Sequence, residues 1–147
     1  MKFPKTLITT AILGFSLASF HSTAWTDTPE QQVQQGYEAA VRGDYQTAFK
    51  LWLPLAEQGE ADAQYNLGVM YDNGRGVKQD DFEAVKWYRK AAEQGTAQAQ
   101  AQLGFAYILG KGVQFNKSLA KEWFGKACDN GEQIGCKYYS KLNSGEH

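Results

Sequence analysis

The sequence predicts an all-α solenoid of about three helix pairs, closed by a C-terminal capping helix over 133–143. Three observations carry this expectation. Sliding the chain along itself by 36 residues pairs 61–96 with 97–132, and fourteen of the 36 pairs are identical, among them Gly68/Gly104, Trp87/Trp123 and Gly95/Gly131. Within a unit, Ala63, Leu67 and Tyr71 recur at four-residue spacing, which is one stripe of a helix. Capping residues and glycines punctuate the same position of each unit.

In chain order, the first segment is an address. Lys2 and Lys5 form a positive head, Leu7–Phe20 is apolar, and Ser22-Thr23-Ala24 places small residues before a cut after Ala24. This is the pattern of a secretory signal peptide over 1–24. The apolar run is shorter than the roughly 20 residues a spanning helix needs, so no stable membrane insertion is expected after cleavage. Loss of Lys2 and Lys5 moves the net charge from −1 to −3 and leaves 25–147 as a single repeat domain, exported and either periplasmic or secreted.

Thr28-Pro29-Glu30-Gln31 then offers an N-cap, a proline at the first helical position and a capping-box partner. Gly43-Asp44 makes a short turn into a second helix, within which Pro54 predicts a kink or an early end, because it removes a backbone hydrogen bond. The first unit so defined runs over 30–60. In the next, a first helix spans about 61–73, and Gly74-Arg75-Gly76 supplies a turn. Asp80 opens a second helix as N-cap, with Glu83 placed to complete a capping box. Asp44 and Asn116 hold the same repeat position as Asp80, and Gly59, Gly95 and Gly131 stand where each second helix stops.

Glycine inside a helix costs about 1 kcal/mol relative to alanine, so Gly68 and Gly104 predict close helix approach. The rows Leu51/Trp87/Trp123 and Trp52/Tyr88/Phe124 are large enough to fill the space between stacked pairs. Most of the aromatic content, 14% of the chain, is thereby assigned to packing.

The chain resembles the Sel-one-like repeat proteins, relatives of the tetratricopeptide repeats. The resemblance rests on Ala61-x-Ala63-x3-Leu67-Gly68-x2-Tyr71-x2-Gly74-x-Gly76-Val77, then Ala84-x2-Trp87-x2-Lys90-Ala91-Ala92-x2-Gly95, and on their repetition over about 30–142. The unit at 31–60 departs from it, because Gly43-Asp44 replaces the longer Gly-x-Gly-Val loop and looks more like a tetratricopeptide turn. The resemblance implies an αα-superhelix that binds other proteins, and for exported bacterial members a role in the envelope or in host interaction.

Cys128 and Cys136 fall, by the repeat register, at the end of one helix and in the first turn of the next. An even cysteine count in an exported chain favours a disulfide there, whereas a metal pair or redox dithiol would need more ligands or closer spacing. Such a bridge is similar to those of the cysteine-rich branch of the same family, and it would hold the capping helix.

Catalytic chemistry finds little material. A pI of about 6.1 lacks the basic balance that nucleic acid demands. His21 lies in the signal segment and His147 at the terminus, which leaves no histidine for a metal or a catalytic triad. Asp80-Asp81 are adjacent helical residues that point apart, Asp72-Asn73-Gly74 lacks the rest of a calcium loop, and Gly74-x-Gly76 follows a helix where a phosphate loop follows a strand. Ser118-Leu119-Ala120-Lys121 spells the Ser-x-x-Lys of penicillin-recognising enzymes. No Ser-Asp-Asn or Lys-Thr-Gly partner accompanies it, so a cell-wall or β-lactam-related activity is the second reading. The first is a non-enzymatic scaffold without cofactor or metal that binds a protein or peptide. With Ala63, Leu67 and Tyr71 inward, a step of 100° per residue points Tyr65, Asn66, Val69, Asp72 and Asn73 to the opposite, concave face. The next unit presents Ala101, Gln102, Phe105, Ile108 and Leu109 there; the last three either bind a partner or are covered by the terminal helix.

Overall fold

Residues 27–145 are described by the computed structural model, and the expected signal segment lies outside them. Seven helices and no strand occur among the described residues: α1 (Pro29–Val41), α2 (Tyr45–Glu57), α3 (Ala61–Asn73), α4 (Asp81–Glu93), α5 (Ala97–Leu109), α6 (Lys117–Asp129) and α7 (Gln133–Ser144). Each packs on the next in sequence, and α5 also touches α7, so the chain stacks antiparallel pairs as an all-α solenoid. The core runs through the stack as two clusters, one around Trp52, Leu67 and Trp87 and the other around Leu103, Tyr107 and Phe124.

The helix starts follow the expected capping chemistry, with one exception. Thr28 accepts from the Gln31 backbone N–H while the Gln31 side chain returns to the Thr28 N–H, a complete capping box. Asp44 and Asn116 each accept from a backbone N–H in the first turn of the helix they open. Asp80 accepts from the N–H groups of Phe82 and Glu83, yet Glu83 does not close the box. Its carboxylate turns along the helix to Lys86, 3.0 Å away, because an ammonium one turn on competes for it.

Pro54 does not end α2. The helix runs three residues further, and the Gln58 N–H still donates to the Pro54 carbonyl. Both Pro54 and Lys50 are exposed, so the Lys50 carbonyl deprived of its donor faces water and the lost bond costs little.

Close approach sets the helix pairing. A Cβ on Gly68 would stand 2.5 Å from the Tyr88 ring, and one on Gly104 would stand 2.8 Å from the Phe124 ring. Gly36 seats the Trp52 indole in the same manner, since a Cβ there would overlap it. The sequence comparison at a shift of 36 misses Gly36, because the short Gly43-Asp44 turn places its match with Gly68 at a shift of 32. Every unit therefore rests a large aromatic ring on a bare helix backbone, and the Trp52 Nε1–H uses the proximity to donate to the Val33 carbonyl at 3.0 Å.

Candidate partner-binding groove

The long loops determine what faces the groove. In Gly74-Arg75-Gly76 and Gly110-Lys111-Gly112 all four glycines adopt positive φ, between 63° and 71°. Gly76 lies against the backbone and Cβ of Tyr45, and Gly112 against the Asp81 carbonyl, where no side chain would fit. Each loop thus seats on the first residue of the preceding unit's second helix. The cation between the two glycines is delivered over that residue.

The two seats differ. Arg75 lies over the Tyr45 ring, 5.6 Å from its centroid. Lys111 instead forms ion pairs with Asp72 and, at 3.3 Å, with Asp81. The hydrogen bond to Asp72 holds the Lys111 ammonium above its ordinary value. Asp72 also faces the Tyr88 hydroxyl at 3.5 Å, and burial first, then that carboxylate, pushes the phenol far up so that it stays neutral.

A pocket opens beside each seat. The first, of about 400 Å³, lies between α1, α2 and α3 and is walled by Tyr37, Val41, Tyr45, Trp52 and Val69, with Asn66 and Arg75 as its polar groups. The second, of about 220 Å³, lies between α3, α4 and α5 and is walled by Val85, Tyr88, Phe105 and Leu109, with Asp72, Asp81, Gln102 and Lys111. Their linings correspond position by position: Tyr45 to Asp81, Trp52 to Tyr88, Asn66 to Gln102, Val69 to Phe105, Arg75 to Lys111. They are one pocket at two successive junctions of the stack.

The residues singled out by the 100° step are distributed as follows. Asn66 and Val69 line the first pocket, and Asp72, Gln102, Phe105 and Leu109 line the second. Tyr65 is half-buried against Tyr88, with ring centroids 5.9 Å apart, and burial raises its phenol against the opposing effect of the Gln102 amide. Asn73 donates its amide back to the Val69 carbonyl. Ala101 is buried in place of facing the groove. Phe105 makes edge contacts with Phe124 and with Tyr138 of α7, at 4.9 and 4.8 Å between centroids, and Ile108 packs on the same cluster. The terminal helix therefore covers part of that apolar face, and Leu109 stays 70% exposed. Tyr37 and Val41, 56% and 70% exposed, are the groove residues that the 36-residue register missed; a shift of 32 aligns them with Val69 and Asn73.

Cys128 and Cys136 are bonded to each other, with Cα atoms 4.4 Å apart. Ser118 and Lys121 share no hydrogen bond among the described residues; the Lys121 ammonium lies over the Tyr139 ring at 5.7 Å. Among the described residues no group of His, Cys, Asp and Glu could hold a metal, and no helix is long and apolar enough to cross a membrane.

These features define an αα-repeat protein whose loops and seats build a segmented groove. The sequence model of the Sel1 repeat family matches residues 34–60, 61–96 and 97–132, and the chain belongs to that family. Among solved structures it is similar to a Sel1 repeat protein from Oxalobacter formigenes (38% identity, TM-score 0.69, covering 74% of this chain and 45% of that one). It is also similar to a protective antigen of uropathogenic Escherichia coli strains with an SLR fold (31%, TM-score 0.68, 84% and 32%). A third is Helicobacter pylori cysteine rich protein B (25%, TM-score 0.63, 75% and 93%). The curated relatives match over short stretches, as in the DAP3-binding cell death enhancer 1 of Rattus norvegicus, 42% identical over 50 residues, which are 34% of this chain and 10% of that protein.

Proposed function

We propose that the protein is an exported repeat scaffold that holds a protein or peptide partner in the groove formed by its first helices and loops. The single observation that carries this reading is the repetition of one pocket at two successive junctions, each with an exposed apolar wall and a cation at its mouth. Both stations leave large apolar side chains open to solvent, Tyr37 and Val41 at one and Leu109 at the other, as a docking face does and a merely solvated one need not. The signal-peptide pattern supports placement in the periplasm or outside the cell, and the Cys128–Cys136 bond agrees with an oxidising compartment.

The test combines Val41→Asp with Leu109→Asp. Both side chains are exposed, so the thermal midpoint is expected to stay within about 2 °C, surface substitutions being nearly neutral. Cross-linking in the native organism, followed by identification of the attached protein, is expected to lose its product in the double variant. An attached partner that persists in that variant would place binding elsewhere. Processing at Ala24 is read independently from the N-terminal sequence of the exported protein.

A further inference from the structure

The two stations of the groove are equivalent in position and opposite in charge balance. At the second station the cation is spent: Lys111 is paired with both Asp72 and Asp81. At the first, the position of Asp81 is taken by Tyr45 and that of Asp72 by Ala40. No carboxylate among the described residues lies within ion-pair distance of Arg75. Its guanidinium is steadied by the Tyr45 face, which holds the planar fork without using its N–H donors. Asn66 faces the same pocket and makes no side-chain hydrogen bond to a described residue. The Trp52 indole N–H, by contrast, is already taken by Val33.

Resting on the reading of the groove as a peptide site, we infer that the first station selects a partner segment carrying an aspartate or glutamate beside a large apolar side chain, while the second accepts an apolar side chain alone. The carboxylate takes the free fork of Arg75 in a charge-assisted pair, with the Asn66 amide as an added donor. The neighbouring side chain fills the wall of Tyr37, Val41 and Val69. At the second station an incoming carboxylate would meet Asp72 and Asp81, so that station repels acid and leaves Leu109 and Phe105 as its attraction.

The probe is a pair of fluorescein-labelled peptide pools of about twelve residues, one built from Asp, Glu, Leu, Phe, Tyr, Gly and Ser, the other with Lys and Arg replacing the acids. Binding to the purified protein is followed by anisotropy. The acidic pool is expected to yield binders that weaken as salt is raised, as an exposed ion pair must. Arg75→Glu, in an exposed turn whose backbone bond from residue 75 to the Met70 carbonyl survives the change, should weaken them roughly tenfold, since it converts attraction to repulsion. Arg75→Gln should weaken them less and abolish the salt dependence, and Lys111→Gln should leave them within about twofold. Equal binding of both pools, no binding by either, or acidic binders indifferent to Arg75→Glu would each overturn the charge assignment. If either pool binds and the binders ignore both Val41→Asp and Leu109→Asp, the groove itself is wrong. If those two variants abolish binding while Arg75→Glu does not, the groove stands and only its acid preference falls.

Discussion

At the junctions α2/α3 and α4/α5 the seam is closed by a buried glutamine. Gln64 donates its amide to the Ala56 carbonyl and Gln100 donates to the Ala92 carbonyl, each across eight residues, at 3.0 and 3.1 Å. Those carbonyls lie in the last turn of a helix, where each also accepts the N–H of the following glycine, Gly59 or Gly95, and the glutamine fills its second lone pair. The amide oxygen of each glutamine is satisfied in turn by the C-cap residue of its own unit's second helix, Gln94 or Asn130, both at 2.9 Å. At the last junction, α6/α7, the row of Gln64 and Gln100 holds Cys136, and the row of Ala56 and Ala92 holds Cys128. The bond between them spans the same eight residues. A glutamine at 136 would lack the second-helix donor that answers Gln64 and Gln100, since no helix follows α7 among the described residues. A disulfide closes the seam and needs no such second helix. The same ending lets α7 come closer, because Gly135 stands in the row of Ala63 and Ala99 and packs on the backbone at Phe124 and Cys128.

Removing both halves of the terminal seam should have the largest effect. Cys128→Ala with Cys136→Ala is expected to lower stability by roughly 2.5 kcal/mol, the loop entropy of a nine-residue closure. Urea denaturation would measure it, and a loss below about 0.5 kcal/mol would mean that α7 is held by Tyr138 and Leu142 alone. Gln100→Leu tests the internal seam: about 2 kcal/mol should go, since the Ala92 carbonyl and the Asn130 amide both lose a partner. A neutral outcome by the same denaturation would show that water replaces the amide. More pointed is Cys136→Gln placed on Cys128→Ala. It should recover about 1 kcal/mol of the cystine's contribution, the yield of one hydrogen bond. Full recovery would refute the argument from the unanswered amide oxygen.

The smallest effect concerns the first unit, which has no long loop and whose second helix is capped by Asp44. Hydrogen bonds from Thr47 hold the Asp44 carboxyl below its ordinary value. A depressed carboxylate adds stability at pH values above its unfolded pKa, and that share is lost as pH falls through the folded one. Asp44→Ala should therefore lower the thermal midpoint slightly at pH 7, and the difference should shrink in acid. A difference that is constant with pH would assign the cap to geometry without charge.

Most of the fold was legible because the repeat imposes it. Ala63, Leu67 and Tyr71 announce a helix, and Gly68 announces a close neighbour, whatever the partner. The seam glutamines were visible only as identical letters, since their acceptors are backbone carbonyls, which leave no mark in a sequence. Gly36, Tyr37 and Val41 escaped because a turn four residues shorter broke the register, and a second comparison at a shift of 32 recovers them. The cover on Phe105 depends on how α7 lies across α5, a tertiary fact that spacing does not encode. Arg75 and Lys111 hold the same loop position, and only the seats beneath them, Tyr45 and Asp81, tell them apart.

That arrangement of loop and seat divides authorship of each station between two units: the cation comes from one and the residue under it from the unit before. Insertion of a second copy of 61–96 directly after the first would lay the Arg75 of the new copy over the Asp81 of the old one. A third kind of station would appear without a single substitution, with the Asp72 and Asp81 of the second station facing the Arg75, Asn66 and Val69 of the first. Duplication alone can thus extend the recognition pattern of such a groove, because a junction joins two units that need not have met before.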